Sequence, residues 1–126
     1  MRKTQALQAF WSKFGIPAYQ ESSVPDGKDR PQFPYITYQN AAGFIEDQLA
    51  LSASVWYRQD SWAGAEEKAA EIAEYIGFGG VLMPFDGGTL WINRGTPFSQ
   101  SAPADPFDAL IRRKILNITA EFITAV

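Results

Sequence analysis

Few residue types in this chain are suited to catalysis, because it contains no histidine and no cysteine. These absences remove the commonest general base, the commonest transition-metal ligand and every Ser-His or Cys-His pair. Carboxylates remain: Glu67 and Glu71 would share one face of a helix, and a two-carboxylate hydrolase could also draw on Asp60, Glu66 or Asp86. Such a pair requires a cleft and two opposed environments, which no pattern in this sequence supplies. We therefore predict no catalytic residue and no enzymatic activity.

Two further patterns could bind a metal or a phosphate. Four glutamates occur close to Lys68: Glu66, Glu67, Glu71 and Glu74. Carboxylates spaced along a helix are more typical of a solvated face than of a metal site. Asp86-Gly87-Gly88 lacks the Lys-Ser/Thr ending and the following helix of a phosphate-binding loop, and it favours a tight hairpin turn instead. We predict no metal site and no cofactor.

The composition is that of one packed domain spanning residues 1–126. Of the residues, 46% are hydrophobic and 14% aromatic, and the net charge is -3. This charge argues against the basic footprint of nonspecific DNA binding, and no motif for sequence-specific nucleic acid recognition is present. The sequence has neither a signal-peptide core nor the roughly 18 apolar residues of a membrane span, so we expect a soluble protein made in the cytoplasm, with no membrane partner.

Hydrophobic periodicity predicts the elements of the first half. A helix over residues 3–14 would place four large side chains on one stripe, namely Leu7, Phe10, Trp11 and Phe14. A short strand at 16–20 and a proline-rich exposed loop at 21–34 follow. Strands are predicted at 33–38 and 47–59; the second alternates Leu49, Leu51, Ala53, Val55 and Tyr57 onto a buried face, and its length suggests a bulge or an extension beyond the core.

The second half begins with the most clearly patterned helix, which Ser61 would cap and Gly77 would end. A hairpin joins strands at 81–85 and 89–93, and residues 95–108 are predicted to form a second exposed loop. A final strand at 110–123 would bury Leu116, Ile118, Ala120 and Phe122. This order favours an α+β fold, a mainly antiparallel sheet with two helices packed on one face.

Six residues have the chemistry favoured at protein interfaces: Arg58, Trp62, Arg94, Phe98, Arg112 and Arg113. For Trp62 and Phe98 a place in the core or at its margin is the stronger interpretation. Arg112 and Arg113, with Lys114, would ordinarily be a solvated strand end, and a contact with DNA or another anion is the weaker interpretation. An exposed sheet edge and two loops offer further surface for assembly.

Five segments occur in an order that resembles the tail-terminator, or tail-completion, proteins of long-tailed bacteriophages and prophages. They are residues 34–38 (PYITY), 56–62 (WYRQDSW), 67–72 (EKAAEI), 90–98 (LWINRGTPF) and 112–122 (RRKILNITAEF). The resemblance implies a structural minor tail protein in the virion tail, assembled in the cytoplasm of the bacterial host. Such a protein forms a homo-oligomeric ring, commonly a hexamer, that caps the tail-tube protein, ends tube elongation and offers head-tail connector proteins a surface.

Two other functions remain open from the sequence. A neck or tail-to-head joining component would share the ring and much of the surface chemistry. A small binding module unrelated to phages would have the same composition and the same absence of catalytic motifs. A terminator blocks tail-tube elongation, which distinguishes it from a neck or joining component. Phage genes beside the gene for this protein would argue against a binding module unrelated to phages.

Overall fold

The elements follow the predicted order of helix, strands, helix, hairpin and strand. In the computed structural model, residues 1–40 and 48–124 are described. The helices are α1 (Ala6–Trp11) and α2 (Ala63–Ile76), and the strands are β1 (Ala18–Gln20), β2 (Tyr35–Tyr38), β3 (Gln48–Arg58), β4 (Val81–Phe85), β5 (Gly88–Ser101) and β6 (Ile111–Thr124). Asp47, the predicted first residue of the long strand, lies outside the described residues. The fold is α+β, as predicted.

The six strands form one sheet in the order β1-β2-β3-β6-β5-β4. Only the β1–β2 pair of this sheet is parallel, with Ala18 opposite Ile36; the other four pairs are antiparallel. Strands β3 and β6 pair from Gln48↔Glu121 to Arg58↔Ile111 without interruption. The bulge predicted as one explanation for the length of β3 is therefore wrong, since β3 pairs with β6 in a continuous register over its full described length.

Both helices pack on one face of the sheet, as predicted. All four residues of the predicted N-terminal stripe are buried, and so are Ala65, Ala69, Ile72 and Ile76 of α2. Rings of Phe14 and Tyr75, 5.5 Å apart, join the two helical segments. The sheet contributes Ala53 and Val55 from β3 and the predicted set from β6 to the same cluster. Full burial of one of the larger side chains of this cluster, a valine, leucine, isoleucine or phenylalanine, stabilises the fold by about 1.5–3 kcal/mol.

Local signals explain most element boundaries, with two corrections. The N-terminal segment is α-helical only over Ala6–Trp11, and 3-10 helices at Lys3–Gln5 and Ser12–Phe14 flank it. Trp62, rather than Ser61, is the N-cap residue of α2, although the Ser61 hydroxyl accepts a hydrogen bond from the Ala63 N–H at 3.3 Å. The predicted hairpin is confirmed, with Phe85 opposite Gly88.

The predicted loop at 95–108 is wrong over its first half. Strand β5 continues to Ser101, and Ser99, Gln100 and Ser101 pair with β6. The register shifts between Arg94 and Ser99, so Pro97 falls where the ladder is already interrupted, and a missing N–H is tolerated there. The Asn117 side chain of β6 donates a hydrogen bond to the Pro97 carbonyl at 2.9 Å and holds this segment against the sheet.

Candidate interaction surfaces

The face of the sheet opposite the two helices carries no helix in the described part of the chain, and we call it the helix-free face. Strand alternation directs every second residue of β3 and β6 away from the helices. The middle of this face is small and uncharged, with Ala50, Ser52 and Ser54 on β3 beside Asn117 and Thr119 on β6. Charged side chains on these two strands lie near the ends of this face: Arg58 and Arg113 at one end, Glu121 at the other. Depletion of charge is one property of the core of a protein interface, although alanine and serine are depleted there as well, and Ser54 is itself buried.

An aromatic stack lies on this helix-free face. The rings of Tyr35 and Trp56 are 6.0 Å apart and only 14° from parallel. The Arg113 guanidinium lies 4.7 Å from the centre of the Trp56 ring, and its Nε donates to the Ser54 hydroxyl at 2.9 Å. Trp56 itself donates from its indole nitrogen to the Thr37 hydroxyl at 2.9 Å. The prediction of a solvated Arg113 is therefore wrong, because a half-buried cation is fixed on an aromatic surface.

Arg112 and Lys114, the other two basic residues of β6, both lie near the Trp62 ring on the helix side of the sheet. The Arg112 guanidinium carbon lies 5.6 Å and the Lys114 ammonium 5.8 Å from the centre of this ring. Arg112 also donates to the Asp60 carbonyl at 3.3 Å. Lys114 reaches the Glu66 carboxylate at 3.9 Å, with only 13% of its side chain exposed. Arg112 is likewise half-buried, so the predicted solvated strand end is wrong for it as well.

Arg58 remains exposed and forms an ion pair at the end of β3. Its Nε donates to the Asp108 carboxylate at 2.7 Å. This hydrogen bond, with a second from the Leu110 N–H at 3.0 Å, holds the pKa of Asp108 below its usual value. Arg58 also lines a cavity of about 750 Å³, which we call the basic groove and define by Lys28, Arg30, Phe33, Tyr35 and Arg58.

Arg94 and Phe98 lie together at a second cavity, of about 390 Å³, whose lining also includes Phe78 and Pro97. The Arg94 guanidinium lies 4.9 Å from the centre of the Phe78 ring, although the Phe78 side chain is fully exposed at 100%. Phe98 is partly buried and packs against the core, which confirms its interpretation as a half-core residue.

The six predicted interface residues thus do not form a single patch. Arg58 and Arg113 lie on the helix-free face, Trp62 and Arg112 lie at the start of α2, and Arg94 and Phe98 lie at the bulge of β5. Arg58 is opposite Ile111 of β6, whereas Arg94 is opposite Ile118, so about 23 Å of strand separates their levels.

Two exposed phenylalanines were missed by the sequence reasoning. Phe78 is 100% and Phe107 is 97% exposed. A signal for the first was present, because Phe78 is flanked by Gly77, Gly79 and Gly80, and glycines on both sides disfavour a regular helix or strand around it. Lys28 and Arg30 were also missed, since their loop has no periodic pattern.

No protein-family model matches this chain, and a search of curated protein sequences found no match. In residues 1–40 and 48–124, no group of three or more acidic side chains is arranged to hold a metal ion. Across the same described ranges, no helix combines the length and apolar character that crossing a membrane requires.

Proposed function

We propose that this chain is a phage tail terminator: a structural protein that forms a ring, commonly a hexamer in proteins of this kind, on the last layer of tail-tube protein. The ring ends tube elongation and offers a surface to head-tail connector proteins. It acts in the virion tail and assembles in the host cytoplasm. The observation that carries the proposal is the helix-free face of the sheet, where an uncharged centre adjoins the Tyr35–Trp56 stack and Arg113, since protein interfaces are depleted of charge at the core and enriched in aromatic residues and arginine.

The segments that resemble the terminator proteins are neighbours in the fold. Residues 56–58 end β3, residues 90–98 lie in β5, and residues 112–122 fill most of β6. Since β6 lies between β3 and β5, these segments make a continuous central part of the sheet. The resemblance therefore covers one connected structural unit rather than scattered positions.

An unpaired sheet edge adds a second surface suited to assembly. Strand β4 pairs with β5 only as far as Ile92, and the rest of β5 to Ser101 has β6 on one side and no strand on the other within the described part of the chain. Exposed edges of this kind are available for pairing with another chain. Arg94 lies on this edge segment and is held against Phe78.

The proposal is tested by polymerisation of a purified tail-tube protein with and without this chain, with tube lengths measured by electron microscopy. We expect a substoichiometric amount of the chain to stop growth and to be found at one tube end. Arg58→Glu and Arg94→Glu should each weaken this effect, while Lys13→Glu, at an exposed residue without a hydrogen bond or ion pair in the described structure, should not.

Three results would contradict the proposal or its residue assignment. Tubes of unchanged length at equimolar chain would remove the terminator function. Binding to tube ends without a block of elongation would favour a joining component of the neck. Normal termination by both Arg58→Glu and Arg94→Glu would show that these arginines are not at the interface.

A further inference from the structure

The exposed side of α2 carries a stripe of glutamates, of which one is neutralised by an ion pair. Glu67, Glu71 and Glu74 recur at helical spacing and are all exposed, and Phe78 follows two residues after the end of the helix. We call these four residues the acidic ridge. Glu71 pairs with Lys68 at 2.9 Å, whereas Glu67 and Glu74 have no ion pair in the part of the chain that the structure describes. The three glutamates span about 11 Å of helix, and the fully exposed Phe78 ring follows, with the Arg94 guanidinium 4.9 Å from its centre.

The basic groove has the complementary properties. Lys28 and Arg30 are exposed and form no ion pair among residues 1–40 and 48–124, and Arg58 adds a third cation whose charge is shared with Asp108. The apolar part of the lining comes from Phe33 and Tyr35, with Pro25 and Pro31 beside them. A cavity of about 750 Å³ is within the range that accommodates a ligand of several side chains. Its lining therefore suits an aromatic ring accompanied by carboxylates.

We propose that the acidic ridge of one copy docks in the basic groove of the next copy of this chain. The two surfaces are different patches of one chain: α2 packs on the helix side of the sheet over β3, β5 and β6, and the groove lies where the 24–35 loop meets the ends of β3 and β6. Contact between different patches is heterologous and propagates from copy to copy until a ring closes. The inference rests on the proposed ring and names the surfaces that build it.

A second copy is favoured over other occupants of the basic groove because the complementary surface, the acidic ridge, is present on the same chain. Two cations without partners at the groove meet two carboxylates without partners on the ridge, and each side supplies aromatic surface at the contact. Opposite charges across such a contact set its orientation and accelerate association, whereas like charges oppose it. The contact should accordingly weaken as salt is raised from low to physiological concentration.

A charge-exchange experiment tests the contact in the purified full-length chain. The groove variant is Lys28→Glu/Arg30→Glu, the ridge variant is Glu67→Lys/Glu74→Lys, and the exchanged variant carries all four changes and keeps the net charge of -3. Sedimentation velocity at low salt should show self-association of the wild type and at least about tenfold weaker association of the groove or ridge variant alone. Association should return in the exchanged variant and in an equimolar mixture of the groove and ridge variants, since each then meets an opposite charge.

Cross-linking provides a readout that does not depend on charge. Because the chain has no cysteine, Lys28→Cys and Glu74→Cys introduce single thiols, and a short bis-maleimide should link the two variants to each other when mixed. Each variant alone should link much more slowly. Lys13→Cys mixed with Glu74→Cys is the matched control, because Lys13 is an exposed lysine outside the groove.

The outcomes separate this inference from the proposed function. In one outcome, self-association is lost in the groove and ridge variants and returns in the exchanged variant, while the chain fails to stop tube growth. This result supports the docking contact and contradicts the terminator function. If the chain stops tube growth but the four substitutions do not change its self-association, the docking contact is contradicted and the terminator function is not. A wild type that stays monomeric and gives no mixed cross-link overturns the inference. If that monomer instead binds duplex DNA or polyglutamate through Lys28 and Arg30, the groove belongs to that partner.

Discussion

Substitution of Gly80 should destabilise the protein more than substitution of any neighbouring glycine. Gly80 has a φ of +80°, a backbone conformation that disfavours residues with a Cβ atom. A Cβ built there would lie 2.6 Å from the Ile92 carbonyl oxygen and 2.6 Å from the Trp91 indole nitrogen. That indole nitrogen donates to the Gly79 carbonyl at 3.0 Å, so the same substitution disturbs the contact that anchors the turn presenting Phe78.

Two matched variants separate the backbone strain from the steric overlap. Gly87→Ala also places a side chain at positive φ, +90°, but nothing lies within 4 Å of the added Cβ. It should cost about 1–2 kcal/mol of unfolding free energy, from strain alone. In Gly79→Ala the backbone is not at positive φ and nothing lies within 4 Å of the added Cβ, so its unfolding free energy should stay within about 0.5 kcal/mol of the wild-type value. Gly80→Ala adds overlap with backbone, typically about 1–3 kcal/mol, and should cost about 2–5 kcal/mol in total.

Thermal unfolding followed by circular dichroism would measure the series. For a chain of 126 residues, 1 kcal/mol corresponds to about 4 °C in Tm. We expect almost no change for Gly79→Ala, a loss of about 4–8 °C for Gly87→Ala and a larger loss, about 8–20 °C, for Gly80→Ala. A Gly80→Ala variant no less stable than Gly87→Ala would refute the close approach of residue 80 to β5, and with it the anchored turn.

Two further predictions concern stability. Lys68 donates to the Phe14 carbonyl at 2.6 Å, so Lys68→Met should lower the unfolding free energy by about 1.5–3 kcal/mol in urea titrations, whereas Glu71→Gln should cost less than about 1 kcal/mol. A Lys68→Met loss no larger than that of Glu71→Gln would contradict this link. Burial raises the pKa of Tyr35 and of Tyr38 in the folded protein above about 10, the value in the unfolded chain. Their contribution to the free energy of unfolding is therefore complete below that pH and is lost as the pH rises through the folded pKa. Urea midpoints should therefore fall in that alkaline range, and less steeply in Tyr35→Phe/Tyr38→Phe; an equal fall would contradict the assignment.

Elements with a local repeating pattern could be predicted from the sequence. The alternation in β3 correctly assigned Ala53 and Val55 to the core, and the stripe of the N-terminal helix correctly assigned its four large side chains, from Leu7 to Phe14. Both patterns are set by the period of the element itself, 2 or 3.6 residues, and need no knowledge of what packs against them. Glycine also marked the end of α2 and the turn of the hairpin correctly.

Features that depend on partners far away in the chain could not be predicted. Residues 95–101 have the glycine and proline content of a loop, yet all of them belong to β5, whose last three residues pair with β6. The sequence predicts Arg112 and Arg113 to be a solvated strand end, because the tryptophans that contact them, Trp62 and Trp56, are about 50 residues earlier in the sequence. Local propensity carries no information on such contacts, so tertiary packing overrides it.

The contacts of the arginines bear on how the candidate surfaces would bind. An exposed arginine normally loses side-chain freedom on association, at a cost of about 0.5–1.5 kcal/mol for each immobilised side chain. Arg113 is already held by Trp56 and Ser54, and Arg94 by the ring of Phe78, so much of this ordering precedes any encounter. Lys28 and Arg30 have no such support among the described residues. We therefore expect Arg94 and Arg113 to favour tight, slowly dissociating contacts, and the basic groove to contribute mainly to the rate and orientation of encounter.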